Sequence, residues 1–218
     1  MIVTNLSSDA RQPGYVIVHV DGARYASLPA EVIGGLGLTD GLEVEGELLE
    51  RLKRAADGEA AYQVAVRLLA MRPRSVYELL AKLRERGHNP GAAAAAVGRL
   101  EAAGVLSDEA FARHFARVRA SRGHGASRLL HDLLAKGVER RLAERAIAEV
   151  LESEGLEGSE RARQLAEKRA AQLGALPPRQ KRRRLLAYLA RRGFLGREVQ
   201  DMVAEVLRRG PGEPGRSS

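Results

Sequence analysis

Five cations crowd into six residues toward the carboxy-terminal end: Arg179, Lys181, Arg182, Arg183 and Arg184. No acid occurs between Glu167 and Glu198, so neighbours along the chain cannot neutralise them all. Such a run suits contact with phosphates or with an acidic protein surface. Tyr188 is the one aromatic interleaved with it, which argues against base stacking of the single-strand-binder kind. A second basic patch lies upstream. Phe111, Phe115 and Val118 fall at i, i+4 and i+7, a spacing that predicts a core-facing stripe. Arg113 and Arg117 then share another face, four residues apart. Arg119 and Arg122 lead into a Gly123-His124-Gly125 turn, and Arg128 follows it. Lys136 and the pair Arg191-Arg192 complete the basic set, each placed just before a glycine, Gly137 or Gly193.

Other chemistries find no residues to carry them. The histidines at 19, 88, 114, 124 and 131 form no HExxH pattern and no zinc-type pairing. There is no cysteine, hence no thiol nucleophile, no disulfide framework and no cysteine zinc site. No GxSxG occurs. Gly34-Gly35-Leu36-Gly37 lacks the Lys-Ser/Thr of a phosphate loop, and Gly41 is misplaced for a dinucleotide fingerprint. The acids Asp108-Glu109 suit a helix amino terminus better than acid–base work. The reading is a binding protein and not an enzyme, with no metal and no cofactor. The first residues show no basic head followed by an apolar core, so no signal peptide is expected. No apolar run approaches the roughly 18 residues a membrane span requires. A cytoplasmic monomer is expected.

Charge is unevenly placed within a net +8. Residues 1–58 hold 5 Lys/Arg against 9 Asp/Glu, whereas residues 161–210 hold 14 against 4. The basic end is the one expected to face a polyanion. Aromatics make up 4% of the chain, so the core must be aliphatic, and the Ala, Leu, Arg and Glu content favours helices.

What positions these residues is a unit written three times. Leu79-Leu80-x-x-Leu83-x-x-Arg86-Gly87 returns as Leu129-Leu130-x-x-Leu133-x-x-Lys136-Gly137 and as Leu185-Leu186-x-x-Leu189-x-x-Arg192-Gly193. Ten residues past each glycine stand Val97, Ile147 and Val203; thirteen past stand Leu100, Val150 and Val206. Gly104, Gly155 and Gly210 close the copies. Repeats of this period build stacked arrays with extended binding surfaces. Each copy reads as three helices: near 59–71, 75–86 and 90–103; near 107–121, 126–136 and 139–153; near 158–173, 178–192 and 196–209. Ser75-x-x-Glu78 is a capping box, and Gly87 sits where a helix ends in a left-handed residue. His88, aligned with Val138 and Phe194, reads as a packing residue.

Ahead of the repeats, residues 15–20 read as a strand, Asp21-Gly22 as a hairpin turn and Arg24–Leu28 as the returning strand. Pro29 opens a short helix through Ile33. Gly34–Gly41 reads as loop and Leu42–Glu45 as a third strand. A helix from 47 ends near Asp57-Gly58. The predicted fold is mainly α: three tandem three-helix repeats in an elongated curved array, with a small β-hairpin/helix module in front. The boundaries are 1–58 for that module, 59–106, 107–155 and 156–210 for the repeats, and 211–218 for a disordered tail.

Leu106-Ser107-Asp108-Glu109-x-Phe111-Ala112, then Arg117-x-Arg119, Gly123-x-Gly125, Arg128-Leu129 and Leu133-x-x-Lys136-Gly137, resembles the central signature of RecX proteins. Leu68-Leu69-Ala70-x-Arg72-x-Arg74-Ser75-x-x-Glu78-Leu79 is similar to that family's opening motif. The resemblance covers about residues 12–209 and is strongest between 62 and 138. It implies a modulator of the RecA recombinase, lying in the groove of the RecA–DNA filament and suppressing its ATPase, coprotease and strand-exchange activities. It implies the RecA nucleoprotein filament as partner; the acids Glu198, Asp201 and Glu205 beside the cations of residues 196–209 separately predict weak, salt-sensitive, sequence-indifferent DNA contact. His131-Asp132, the very basic third copy and the long amino-terminal extension depart from the family pattern. The rival reading is a direct DNA-binding protein of the helix-turn-helix kind, with residues 196–209 as its recognition helix.

Overall fold

A computed structural model describes residues 1–153, 155 and 158–209 of the 218-residue chain. Gly210 and the tail at 211–218 lie outside the described residues. Among those described, three strands and ten helices form a mainly helical protein. They divide into two compact units, one from Met1 to Leu106 and one beginning at Ser107.

The first unit opens with an antiparallel sheet of β1 (Val3–Ser8), β2 (Tyr15–Val20) and β3 (Ala23–Pro29), in the order β1-β2-β3. Asp21 and Gly22 both take positive φ, +50° and +83°, as a two-residue hairpin turn matched to strand twist requires. β1 was not legible in the sequence: only Val3 of its six residues is buried. The segment expected as a third strand, Leu42–Glu45, contributes one bridge, Ile2 to Glu43, and covers the outer edge of β1 instead. There Val3 donates to the Leu42 carbonyl at 2.9 Å and Leu6 donates to the Asp40 carboxylate at 2.7 Å. Short edges closed in this way resist pairing with other chains. Helix α1 (Ala30–Leu36) runs past Ile33 and takes in Gly34 and Gly35; the left-handed residue that ends it is Gly37.

The break expected at Asp57-Gly58 does not occur. Helix α2 spans Gly46–Met71 without interruption. One glycine inside a helix costs only about 1 kcal/mol, and α2 is held on both sides of it. Leu52 lies in the core of the sheet, while Ala61, Ala65 and Leu68 lie in the core of the first repeat. Asp57 is occupied too: it accepts from the backbone of Asn89 at 3.2 Å and stands 3.0 Å from His88 Nδ1. His88 is therefore a polar tie to α2 as well as a packing residue.

The repeats are built from α2 with α3 (Val76–Glu85) and α4 (Pro90–Ala102); from α5 (Asp108–Ser121), α6 (Ala126–Leu134) and α7 (Arg140–Ser153); and from α8 (Gly158–Gln172), α9 (Pro178–Arg191) and α10 (Arg197–Arg209). In the middle helix of each, the first and third motif leucines are fully buried: Leu79 and Leu83, Leu129 and Leu133, Leu185 and Leu189. Each contributes about 2 kcal/mol by leaving water. The middle leucine of each motif, Leu80, Leu130 or Leu186, is half-buried beside them. Val97, Leu100, Ile147, Val150, Val203 and Val206 close the cores from the third helices. All three middle helices end alike. Gly87, Gly137 and Gly193 have φ of +87°, +75° and +87°. The next residue, His88, Val138 or Phe194, donates back to Leu83, Leu133 or Leu189, the pattern of a left-handed helix cap. Helix starts are capped as well. Ser75 accepts from Glu78 N at 3.1 Å and Ser107 from Ala110 N at 3.2 Å, while Asp108 adds an acid to the first turn of α5.

Candidate interaction surface

Helix α9 carries the densest positive charge. Pro178 at its first turn presets the helical φ and has no N–H to leave unpaired. Leu185 and Leu189 commit one face to the core. Arg179, Arg182, Arg183, Arg184 and Arg191 are consequently exposed, and Lys181 is half-buried. Among the described residues none of these six makes an ion pair; the pairs of this repeat join Arg163 and Arg209 to Glu205, at 2.6 and 2.7 Å. A row of like charges with no counter-charge lowers its own free energy by gathering anions.

The second patch is arranged differently. Arg113 binds Glu109 at 2.7 Å and approaches Glu149 at 3.8 Å, so its charge is answered within the repeat. Arg128 pairs with Asp132 at 3.0 Å. Arg119 and Lys136 both stand over the Phe115 ring, at 5.2 and 5.6 Å. That ring is half-buried. Of the expected stripe, Phe111 is buried, Phe115 packs half-buried against the same core and Val118 is half-buried; the rest of the innermost face of α5 is Ala112, Ala116 and Ala120, small residues that let α7 approach closely. Arg117 and Arg122 are exposed. Arg192 is engaged by backbone and an aromatic ring instead of an acid. Its guanidinium donates to the Arg122 carbonyl at 2.8 Å and lies 4.8 Å from the Tyr188 ring centre, so it binds within the protein.

Two polar centres had no signal in the sequence. Glu59 is 5% exposed and accepts from Tyr15, Gln63 and Arg99, each at 2.9 Å. Asp9 accepts from Arg11 N at 2.9 Å and from the Ser27 hydroxyl at 2.7 Å, which holds its carboxyl below the usual range. Both bring together residues far apart in sequence, which spacing does not reveal. Among the described residues no three His, Cys, Asp or Glu side chains gather where they could hold a metal ion.

His124, in the turn between α5 and α6, is pushed below its ordinary pKa of 6.5, first by burial and then by the positive charges of Arg119 and Arg192. A histidine harder to protonate when folded weakens the fold as pH falls. Its contribution is flat above the unfolded value and declines through 6.5 toward the lower folded value. Urea unfolding of the full chain should therefore show a lower midpoint at about pH 5 than at about pH 8, and His124→Gln should shrink that difference. An unchanged pH dependence in the variant rules out this residue as the cause.

The model of the RecX first three-helix domain matches residues 61–100, that of the second 107–147 and that of the third 157–202. The chain belongs to the RecX family. Each matched span falls on one of the three repeats, α2–α4, α5–α7 or α8–α10. The regulatory protein RecX of Halorhodospira halophila is 37% identical over 161 residues, 72% of this chain and 96% of that protein. The regulatory protein RecX of Lactobacillus johnsonii is 28% identical over 207 residues, 94% of this chain and 74% of that one. A crystal structure of regulatory protein RecX superposes with a TM-score of 0.73 at 19% identity, covering 94% of this chain and 98% of the other, a likeness of fold. RecX relatives are thus regulatory proteins by description. No helix among the described residues is long and apolar enough to cross a membrane.

Proposed function

We propose that this protein is a non-enzymatic inhibitor of RecA, acting on the RecA–DNA filament from within its groove and lowering its ATPase, coprotease and strand-exchange activities. The observation that carries the reading is the row of cations on α9 that make no ion pair among the described residues, in a chain that repeats the RecX unit three times. Three small units contacting neighbouring filament subunits reinforce one another through effective concentration, so no deep pocket is required. The cations meet filament DNA or acidic RecA surface. The protein works as a cytoplasmic monomer, and its affinity for DNA alone is weak and salt-sensitive.

The helix-turn-helix alternative is less well supported. Its recognition helix would be α10, which carries Glu198, Asp201 and Glu205. Glu205 is already engaged by Arg163 and Arg209, and acids on that helix repel phosphates.

The test is RecA's DNA-dependent ATP hydrolysis with this protein titrated in at fixed salt. Inhibition is expected. Inhibition well below one protein per RecA indicates blocked filament growth, and inhibition only near saturation indicates groove coating. Unchanged hydrolysis at equal stoichiometry overturns the proposal, and tight binding to one duplex sequence at physiological salt would promote the alternative.

A further inference from the structure

Within the second unit, the second and third repeats have separate apolar cores, one from Phe111 to Val150 and one from Ala162 to Val206. The hydrogen bonds between them gather at one end of α5, beside the packing of Leu165 and Phe194. The last carbonyls of a helix have no partner inside it; at the end of α5 the Ser121 carbonyl and the two that follow it accept from side chains of the third repeat. Arg161 donates to the Ser121 carbonyl at 3.0 Å; Arg192 donates to the carbonyls of Arg122 at 2.8 Å and Gly123 at 3.3 Å. Cations are favoured at this negative end of the helix dipole. The bond in the other direction runs from Gly125 N to the Arg192 carbonyl at 2.7 Å.

Three glycines permit the approach. A Cβ on Gly125 would stand 3.0 Å from the Gly193 carbonyl oxygen and 3.0 Å from the Phe194 ring. One on Gly123 would stand 2.9 Å from the Arg192 guanidinium and 3.1 Å from Leu165. One on Gly193 would collide with the Arg128 backbone nitrogen and lie 2.6 Å from its Cβ. The contrast with the first repeat is informative. Gly87 occupies the same motif position with the same left-handed φ, yet a Cβ there would meet nothing within 4 Å. The repeat motif asks only for backbone freedom; close contact with a neighbouring repeat is an additional demand on Gly193.

We infer that the second and third repeats are joined by a detachable polar latch, in which Arg161 and Arg192 cap the end of α5 across a glycine-lined seam, and that releasing it moves the cation row of α9 relative to α5 without unfolding either repeat. Each repeat keeps its own core, so the seam can open at the cost of a few hydrogen bonds and the packing of Leu165 and Phe194 against the two glycines. Joints of this kind, small and polar, are where domain motion arises. The inference does not depend on the RecA reading, since it concerns the isolated protein.

The test exploits the absence of cysteine in the chain. Spin labels are attached through Ala148→Cys on α7 and Ala187→Cys on α9, both exposed, and the distance between them is measured by pulsed electron resonance in the full-length protein. Two variants attack the latch in different ways. Arg192→Gln removes the guanidinium. Gly125→Val fills the seam, and because Gly125 has φ of −86° and ψ of 168° the backbone accepts valine without strain. A narrow distance distribution is expected for the parent and a broadened or displaced one for both variants, with helical circular dichroism unchanged. A parental distribution in both variants, or a broadening accompanied by loss of helical signal, overturns the inference.

Discussion

Replacing Arg182 and Arg183 together by glutamate should lower affinity for the RecA–DNA filament by about 30-fold or more and relieve ATPase inhibition correspondingly. Exposed charges that face an oppositely charged partner contribute roughly 1 kcal/mol each, and reversal adds repulsion to the loss of attraction. Two reversals then amount to about 2 kcal/mol or more, which is about 30-fold. Both side chains are exposed and neither makes an ion pair among the described residues, so circular dichroism and melting temperature should not change. Salt dependence distinguishes the two kinds of partner. If the pair contacts DNA phosphates, the slope of log affinity against log salt should shrink by about 0.7 to 0.9 per lost contact. If it contacts acidic protein, affinity falls with less change in slope. Arg113→Ala serves as the comparison, since that guanidinium already pairs with Glu109 and Glu149. Equal losses in the two variants, or inhibition surviving the double reversal, would remove α9 as the contact.

The sequence conveyed the repeats well because their signal is local and physical. Leucines four apart followed by a left-handed glycine specify a buried helix face and its end, and three copies in one register make chance alignment implausible. Apart from α2, which begins at Gly46 and not near 59, the helices of the three repeats consequently lie close to their expected ranges. What was missed depends on contacts distant in sequence. The continuity of α2 across Gly58 comes from two cores gripping one helix, which outweighs a local breaker. β1 is polar at most positions and stays in the sheet through its pairing with β2 and through the 40–44 segment along its other edge. The alanine face of α5 was passed over because alanine weighs little in a hydrophobic pattern, although Ala112 and Ala116 are fully buried. The candidate surface was legible only as charge. Spacing could show the local pairs Arg113–Glu109 and Arg128–Asp132, four residues apart, but not the approach of Arg113 to Glu149 or of Arg192 to carbonyls about 70 residues away, nor that the α9 cations make no ion pair among the described residues.

Glu59→Ala should destabilise the first unit by about 2–3 kcal/mol. Truncating one member of a buried charge pair typically costs about 3–5 kcal/mol, because the partner is left buried and unanswered. Here the loss falls at or below the bottom of that range, since the Arg99 side chain is 47% exposed and can recover water. Burial disfavours the charge on Arg99, yet the bond it donates to Glu59 and the attraction of that carboxylate raise the guanidinium's pKa above its ordinary value. Three donors lose their acceptor together: the Tyr15 hydroxyl from β2, Gln63 from α2 and Arg99 from α4, whose guanidinium also stacks 3.8 Å from the Tyr62 ring centre. Because these elements belong to the sheet and to the first repeat, the loss should loosen the sheet from the repeat. Differential scanning calorimetry should show the first unit melting about 10 °C or more earlier, with the transition of the second unit unmoved. Glu59→Gln keeps the shape and one acceptor oxygen, and should recover about half the loss. If both variants melt like the parent, water replaces the carboxylate freely and this centre does not hold the sheet to α2 and α4.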